Sequence, residues 1–406
     1  MEMRICFDCG THCESDVCPG CGRMTGRWQK VGEDRDPFIG RMIDGRYRIL
    51  DLIGRGGMGS VYLAEQIAVK RAVALKVINS QDSFNSPLND RLEKRFRREA
   101  MAASQLEHHN TVRVFDFGRT DDDVLYLVME LLHGRTLFNI LKDGPVPAAR
   151  MIRIGIQVCR SLAEAHDKGI IHRDLKPDNI MVYDTRDERD FVKVLDFGMA
   201  KLTQVSDTSL LTSHGVVVGT ATYMAPEQAR GAYVVPGSDL YSLGVVMYEA
   251  LSGRIPFDAS TQLSIMMKHM TDPVPPLVRD GYPRGIPDEL NEIVNRLLEK
   301  MPGKRPSSAL QLADCLSRIP ADGFYDDHVQ RPAGAPGSFL TPTMVQSLKR
   351  MLSSAEQRAY TRATRVFRRR KKSIRKRVWP LVVGVAGGLA AILGGALALL
   401  HFFGHL

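Results

Sequence analysis

Cysteine is scarce in this chain: seven occur in 406 residues, too few for a disulfide scaffold. Four of the seven stand in two C-x-x-C pairs, a spacing that suits a metal better than cystines. A reducing cytoplasm is the compartment this predicts. The N-terminus, MEMRICFDCG, lacks the apolar stretch of a secretory signal, and no internal repeat is present. Positive charge is also missing where a nucleic-acid binder would need it. The formal net charge is +9, but Lys349 to Arg377 holds thirteen Lys/Arg against one acid, Glu356, which puts +12 there and leaves −3 for the rest. A basic face across the globular part is thereby excluded. One stretch lacks charge altogether, the 25 residues from Trp379 to Phe403, free of Asp, Glu, Lys and Arg. As a helix at ~1.5 Å per residue it reaches ~37 Å, enough to cross a ~30 Å hydrocarbon layer with tilt.

What remains is ordinary globular protein, with 44% hydrophobic and 25% charged residues, long enough for two or three domains and an enzyme-sized core. The chain divides into a Cys/Gly-rich module (1–26), a charged linker (27–43), an α+β body in which strand-like runs alternate with helical patterns (44–318), a Pro/Gly-rich linker (319–345), a basic helix or coil (346–377) and the apolar span (378–403).

Between the apolar runs YRILDLIG and SVYLAEQI stands a glycine-rich string with Gly54, Gly56, Gly57, Gly59 and then Val61. A dinucleotide fold opens with the same spacing but needs a helix after the last glycine, whereas Val61-Tyr62-Leu63 continue as a strand. A glycine-rich hairpin brings bare backbone N–H groups to phosphate oxygens. Lys76 follows in Val-Ala-Leu-Lys, a cation within an apolar strand that needs an anion such as a nucleotide phosphate. Residues 91–106 read as a helix with Leu92, Phe96, Ala103 and Leu106 inward and Glu99 upon it. Further on come His172-Arg173-Asp174-Leu175-Lys176-Pro177-Asp178-Asn179 and, seventeen residues after Asn179, Asp196-Phe197-Gly198.

This ordered set resembles a protein kinase of the bacterial serine/threonine (eukaryotic-like) type, and the resemblance covers about 275 of the 406 residues, 44–318. It implies a bilobal fold with a small β-rich N-lobe and a larger helical C-lobe. It implies an ion pair between Lys76 and Glu99, Asp174 as the base that accepts the substrate hydroxyl's proton, Lys176 at the transferring phosphate, and Asn179 and Asp196 as ligands of Mg²⁺ or Mn²⁺. ATP would lie against Val61, Ala74, Met129 and Met181, with Met129 as gatekeeper and the backbone of Glu130 and Leu132 bonding adenine. Lys176 marks the serine/threonine rather than the tyrosine branch. Asp184 to Asp190 lengthens a hairpin turn and, being polar, should project into solvent. Since Lys76, Asp174 and Asp196 are all present, the alternative of an inactive pseudokinase scaffold is disfavoured.

The resemblance also implies a switch segment from Asp196 to Glu227. Arg173 would be neutralised there by a phosphorylated loop residue, among Thr208, Ser209, Thr212 and Ser213, with Thr220 further along. Glu227 and Arg305 match a buried ion pair, and Asp239 matches a brace of the catalytic loop. At the N-terminus Cys6-x₂-Cys9-x₈-Cys18-x₂-Cys21 resembles a short zinc ribbon, four thiolates suiting a closed structural Zn²⁺ site; iron is the competing metal, and Cys13 or His12 the competing ligands. The basic run 368–377 abuts the span, which favours anionic lipid over nucleic acid and keeps residues 1–377 in the cytoplasm, at the inner membrane. Small residues Gly384, Gly388, Ala391, Gly395 and Ala398 recur along the span, as in paired helices. The expected whole is a single-pass homodimer that phosphorylates its own switch segment and Ser/Thr hydroxyls of cytoplasmic proteins.

Overall fold

A computed structural model describes residues 36–57, 59–78, 88–198 (side chains from Glu93), 221–278 and 286–320, together with the backbone of three short strands nearer the N-terminus. Those strands, β1 (Arg4–Cys6), β2 (His12–Cys13) and β3 (Trp28–Lys30), form an antiparallel sheet in the order β2-β1-β3. Ile5 faces His12 on one side and Gln29 on the other. The third strand lies beyond residue 26, so the N-terminal module is longer in sequence than its cysteines indicate. The chain divides into two units, Met1–Thr341 and Pro342–Leu406, and every described residue belongs to the first. Among the described residues no helix is long and apolar enough to cross a membrane; the expected span at 378–403 and the basic run before it lie outside them.

The N-lobe comprises β4 (Met42–Ile43), β5 (Tyr47–Gly56), β6 (Gly59–Gln66), β7 (Arg71–Ile78), α1 (Leu88–Ser104), β8 (Val114–Arg119) and β9 (Leu125–Glu130). Its antiparallel sheet runs β4-β5-β6-β7-β9-β8. Strand β7 is central and apolar on both faces, because side chains alternate along a strand and here both sides are covered. Val73, Leu75 and Val77 join Tyr47, Ile49, Tyr62, Tyr126 and Val128 on one face. Ala74 and Ile78 point the other way, to Phe96 and Ala100 of α1 and to Leu127 and Met129 of β9. The period of two therefore turns Lys76 toward α1 and the cleft. Of the residues expected inward, Phe96, Ala103 and Leu106 are buried, as is Ala100; the Leu92 side chain lies outside the described residues.

The C-lobe begins with β10 (Arg135–Thr136), α2 (Leu137–Leu141) and α3 (Ala148–Asp167), followed by the hairpin β11 (Ile180–Tyr183) and β12 (Phe191–Val194). Helices α4 (Pro226–Ala229), α5 (Pro236–Ser252), α6 (Gln262–Thr271), α7 (Asp288–Leu297) and α8 (Ala309–Ser317) complete it. Helix α5 is apolar nearly all round and lies at the centre, with α3 and α7 against it. Gly244 makes the α5–α7 crossing possible: a Cβ there would stand 2.6 Å from Leu297 Cβ.

Candidate active site

The phosphate hairpin is the turn between β5 and β6. Gly59 has φ +149°, and a Cβ on it would lie 1.9 Å from the Val77 carbonyl oxygen. Only glycine lets the strand leave the turn there. The hairpin is held from the N-terminal side by Asp36, whose carboxylate accepts from the Tyr62 hydroxyl at 2.9 Å, from the Phe38 N–H at 3.0 Å and from Arg55 Nη2 at 3.0 Å. No local sequence signal marks Asp36; its side-chain partners lie 19 and 26 residues on.

Beneath the hairpin, Lys76 Nζ meets Asp196 Oδ2 at 2.7 Å, the Lys76 side chain only 7% exposed. Burial by itself would raise the Asp196 carboxyl, but the adjacent Lys76 ammonium overrides it and holds the group below the ordinary carboxylate range. The Lys76–Glu99 pair expected from the resemblance is not the one formed: Lys76 takes the Asp196 carboxylate. Glu99 instead stands beside Gly198, its Oε2 3.0 Å from where a Gly198 Cβ would lie, with Arg98 Nη2 at 3.4 Å. Glu99 also acts electrostatically on the Arg173 guanidinium.

Asp196 and Arg173 both have positive φ, +58° and +68°, costly for non-glycine residues and sustained by their surroundings. In the catalytic loop Asp239 of α5 accepts from the backbone N–H of His172 at 2.8 Å and of Arg173 at 2.9 Å, and bonds His166 Nε2 at 2.8 Å. This is the brace expected of it. His172 in turn bonds the Leu195 carbonyl through Nε2 at 2.8 Å and packs on Phe197, tying the catalytic loop to the Asp-Phe-Gly turn. Asp174 then presents its carboxylate to Lys176 Nζ at 2.7 Å, while Asn179 Nδ2 donates to the Asp174 carbonyl at 2.7 Å. That donation leaves the Asn179 amide oxygen for a cation, and with the Asp196 carboxylate it makes a hard-oxygen pair that fits Mg²⁺ or Mn²⁺. The Arg173 side chain is half-buried, and its Nε has no hydrogen-bond partner among the described residues. Burial draws that guanidinium's pKa down, against Glu99 and Asp239. Its expected partners Thr208, Ser209, Thr212, Ser213 and Thr220 lie outside the described residues.

Of the residues expected to line the nucleotide site, Ala74 of β7 lies opposite Met129 of β9 and Val61 of β6 opposite Lys76, while Met181 stands on β11. Met129 also walls a small apolar cavity with Leu106, Val112, Leu127 and Phe197. The Glu130 N–H is taken by the Arg113 carbonyl at 3.0 Å, so only its carbonyl can serve a nucleotide base. Its side chain pairs with Lys193 Nζ at 2.6 Å and accepts from the Arg113 N–H at 2.7 Å, a fastening of the hinge that the sequence did not disclose. The polar turn 184–189 is exposed as expected, but Asp190 at its end is buried, paired with Arg150 at 2.8 Å and Arg153 at 3.0 Å of α3.

Glu227 and Arg305 form the expected buried pair, at 2.7 and 2.9 Å. Burial would raise the Glu227 carboxyl, but bonds from Arg305 and Ser238 hold it low. Among the described residues no cluster of His, Cys, Asp and Glu could hold a metal ion; Cys9, Cys18, Cys21 and the side chain of Cys6 lie outside them.

Comparison with known proteins agrees with this geometry. The family model of the protein kinase domain matches residues 47–316. The chain is 40% identical to the serine/threonine-protein kinase pkn3 of Myxococcus xanthus over 312 residues, 76% of this chain and 56% of that protein. It is 35% identical to PrkC of Bacillus subtilis over 367 residues, 90% and 54% of the two chains. With PknA of Mycobacterium tuberculosis it shares 36% over 370 residues, 88% and 82%. The chain thus spans about half the length of the first two relatives and most of the third. With a glycine hairpin over a lysine, and Asp174, Asn179 and Asp196 gathered beneath it, the chain belongs to the protein kinase family, its catalytic domain of the bacterial serine/threonine kind.

Proposed function

We propose that this protein transfers the γ-phosphoryl group of ATP to Ser/Thr hydroxyls of other proteins. The observation that carries this is the convergence of Lys76, Asp174, Lys176, Asn179 and Asp196 from strands and loops as many as 120 residues apart. Asp174 accepts the proton of the attacking hydroxyl. Lys176, already 2.7 Å from that carboxylate, stands ready to neutralise charge on the moving phosphoryl group. Lys76 exchanges Asp196 for nucleotide phosphate oxygens. Asp196 and Asn179 would hold the divalent ion, which would supply neutralisation of the phosphate charge.

The finer reading adds modules suggested by the sequence alone. Cys6, Cys9, Cys18 and Cys21 hold a structural Zn²⁺, supported by thiolate spacing. The run at 378–403 anchors the chain in the inner membrane with its catalytic body in the cytoplasm and 368–377 on anionic lipids. Two copies paired through the small-residue seam modify each other's switch segment, which Arg173 then receives. The test is incubation of the full chain in anionic vesicles with labelled ATP and Mg²⁺, beside Asp174→Asn. Label on Ser/Thr of 203–220 in wild type and none in the variant is expected. Nucleotide binding without any transfer by wild type would overturn the reading in favour of a scaffold.

A further inference from the structure

Helix α6 grips the last part of the switch segment at two points. Gln262, its first residue, accepts the Ala221 N–H through Oε1 at 2.8 Å. About two turns on, His269 Nε2 lies 2.9 Å from the Thr222 carbonyl, and its Nδ1 lies 2.9 Å from the Tyr241 hydroxyl. A carbonyl only accepts, so Nε2 carries the proton, Nδ1 offers its lone pair, and the Tyr241 hydroxyl donates to it. One tautomer satisfies both bonds. The ring is fully buried, edge-on to Phe257 at 4.9 Å. Burial, together with Lys300 on the other side of the Phe257 contact, keeps the imidazole uncharged.

Thr222 occupies a particular place. Its neighbour Tyr223 is held by its carbonyl on Ser242 Oγ at 2.7 Å and by its hydroxyl on Glu249 at 2.8 Å. Gln228, at the end of the same stretch, donates to the Arg173 carbonyl at 2.9 Å, one residue from Asp174. The stretch 221–228 is therefore a wall beside the catalytic loop, tied to it one residue from Asp174.

We infer that His269 is a positioning residue for the protein acceptor: its Nε2–H fixes the Thr222 carbonyl and so the wall along which the acceptor chain lies. The inference rests on the protein-kinase reading above. Gln262 secures the Ala221 N–H, and the two together hold the peptides on either side of the 221–222 link from one helix. A buried histidine with one defined tautomer suits this work better than a lysine or arginine, whose charge would have to be desolvated at the same place.

The experiment measures acceptor and nucleotide constants separately, with the full chain, casein as acceptor and labelled ATP with Mg²⁺. His269→Phe keeps an aromatic ring but removes both the Nε2 donor to Thr222 and the Nδ1 acceptor of the Tyr241 hydroxyl; His269→Gln keeps a donor. The phenylalanine variant is expected to raise the KM for casein about five-fold, the scale of one lost hydrogen bond, while the KM for ATP moves less than about two-fold. The glutamine variant is expected to restore the casein constant. Gln262→Ala, at an exposed side chain, repeats the test without touching the core should His269→Phe not fold. Casein and ATP constants rising together, or an unchanged casein constant in both His269→Phe and Gln262→Ala, would overturn the inference. Absence of transfer by wild type would instead overturn the kinase reading and this inference with it.

Discussion

Replacing Glu227 by Gln removes one charge from a fully matched cluster. All five N–H donors of Arg305 have acceptors: Nε the Glu299 carbonyl at 2.8 Å, Nη1 the Glu227 Oε1 at 2.7 Å and the Gly237 carbonyl at 2.8 Å, Nη2 the Glu227 Oε2 at 2.9 Å and the Lys300 carbonyl at 3.3 Å. The Arg305 side chain is 0% exposed and lies over the Tyr241 ring at 4.8 Å. In Glu227→Gln one acceptor becomes an NH₂ aimed at an N–H, and the guanidinium is left buried without its counter-charge. Loss of one partner from such a pair costs about 3–5 kcal/mol, a large share of the roughly 5–15 kcal/mol that holds a domain together. Urea unfolding of the full chain, followed by far-ultraviolet circular dichroism, should show the midpoint falling by at least about 1 M at ordinary m-values. Glu227→Leu with Arg305→Met removes both charges and their desolvation, and is expected to lose less than either single change. A single variant with an unmoved midpoint, or a double variant as unstable as the two singles added together, would refute the reasoning.

Gly59→Ala should raise the KM for ATP by about ten-fold or more, since φ +149° and the Val77 carbonyl leave no room for a methyl group; an unchanged constant would show that the hairpin can re-form around it. Asp239→Asn should lower kcat by about 10²-fold with the KM for ATP little changed, because an amide cannot accept both loop N–H groups and His166 without turning a donor toward them; full turnover would mean the loop stands without its brace. Burial pushes His269 down to about 4 from 6.5. The folded imidazole stays neutral while the unfolded chain takes up a proton below about pH 6.5, so its share of stability is present above that pH and is lost as pH falls toward 4, up to ~3 kcal/mol. Thermal unfolding between pH 7 and 4.5 should therefore fall less steeply in His269→Phe than in wild type, and parallel slopes would contradict this.

The parts of the site carried on short strings were legible beforehand. Asp174, Lys176 and Asn179 lie within six residues, so the turn that joins them sets their relations. Lys76 was legible as a cation in need of an anion, because it stands within an apolar run. Relations across elements were not legible. Whether Lys76 meets Glu99 or Asp196 depends on the roll of α1, which no residue of either string encodes. Asp190 sat in a polar turn and was expected to be solvated, yet Arg150 and Arg153, 40 and 37 residues earlier, draw it inward. His269 reads locally as one histidine on an amphipathic helix; its partner carbonyl lies 47 residues upstream. The pairing of β3 with β1 is a relation between strands that cysteine spacing does not mark.

The Asp36 carboxylate gives the phosphate hairpin a mechanical tether. Tension on the chain before residue 36 is delivered to the hairpin at two points, its tip through Arg55 and its root through Tyr62, and bypasses the hinge at Glu130. The two grips differ in kind. The root contact is made by a tyrosine on a buried strand, whereas the Arg55 side chain is 66% exposed and its attraction is screened by salt, over ~8 Å at physiological ionic strength. Rising ionic strength slackens the tip while the root holds. The hairpin then changes from a bar clamped at both ends to a flap on a pivot, and the ease with which nucleotide enters beneath it follows the salt around one arginine.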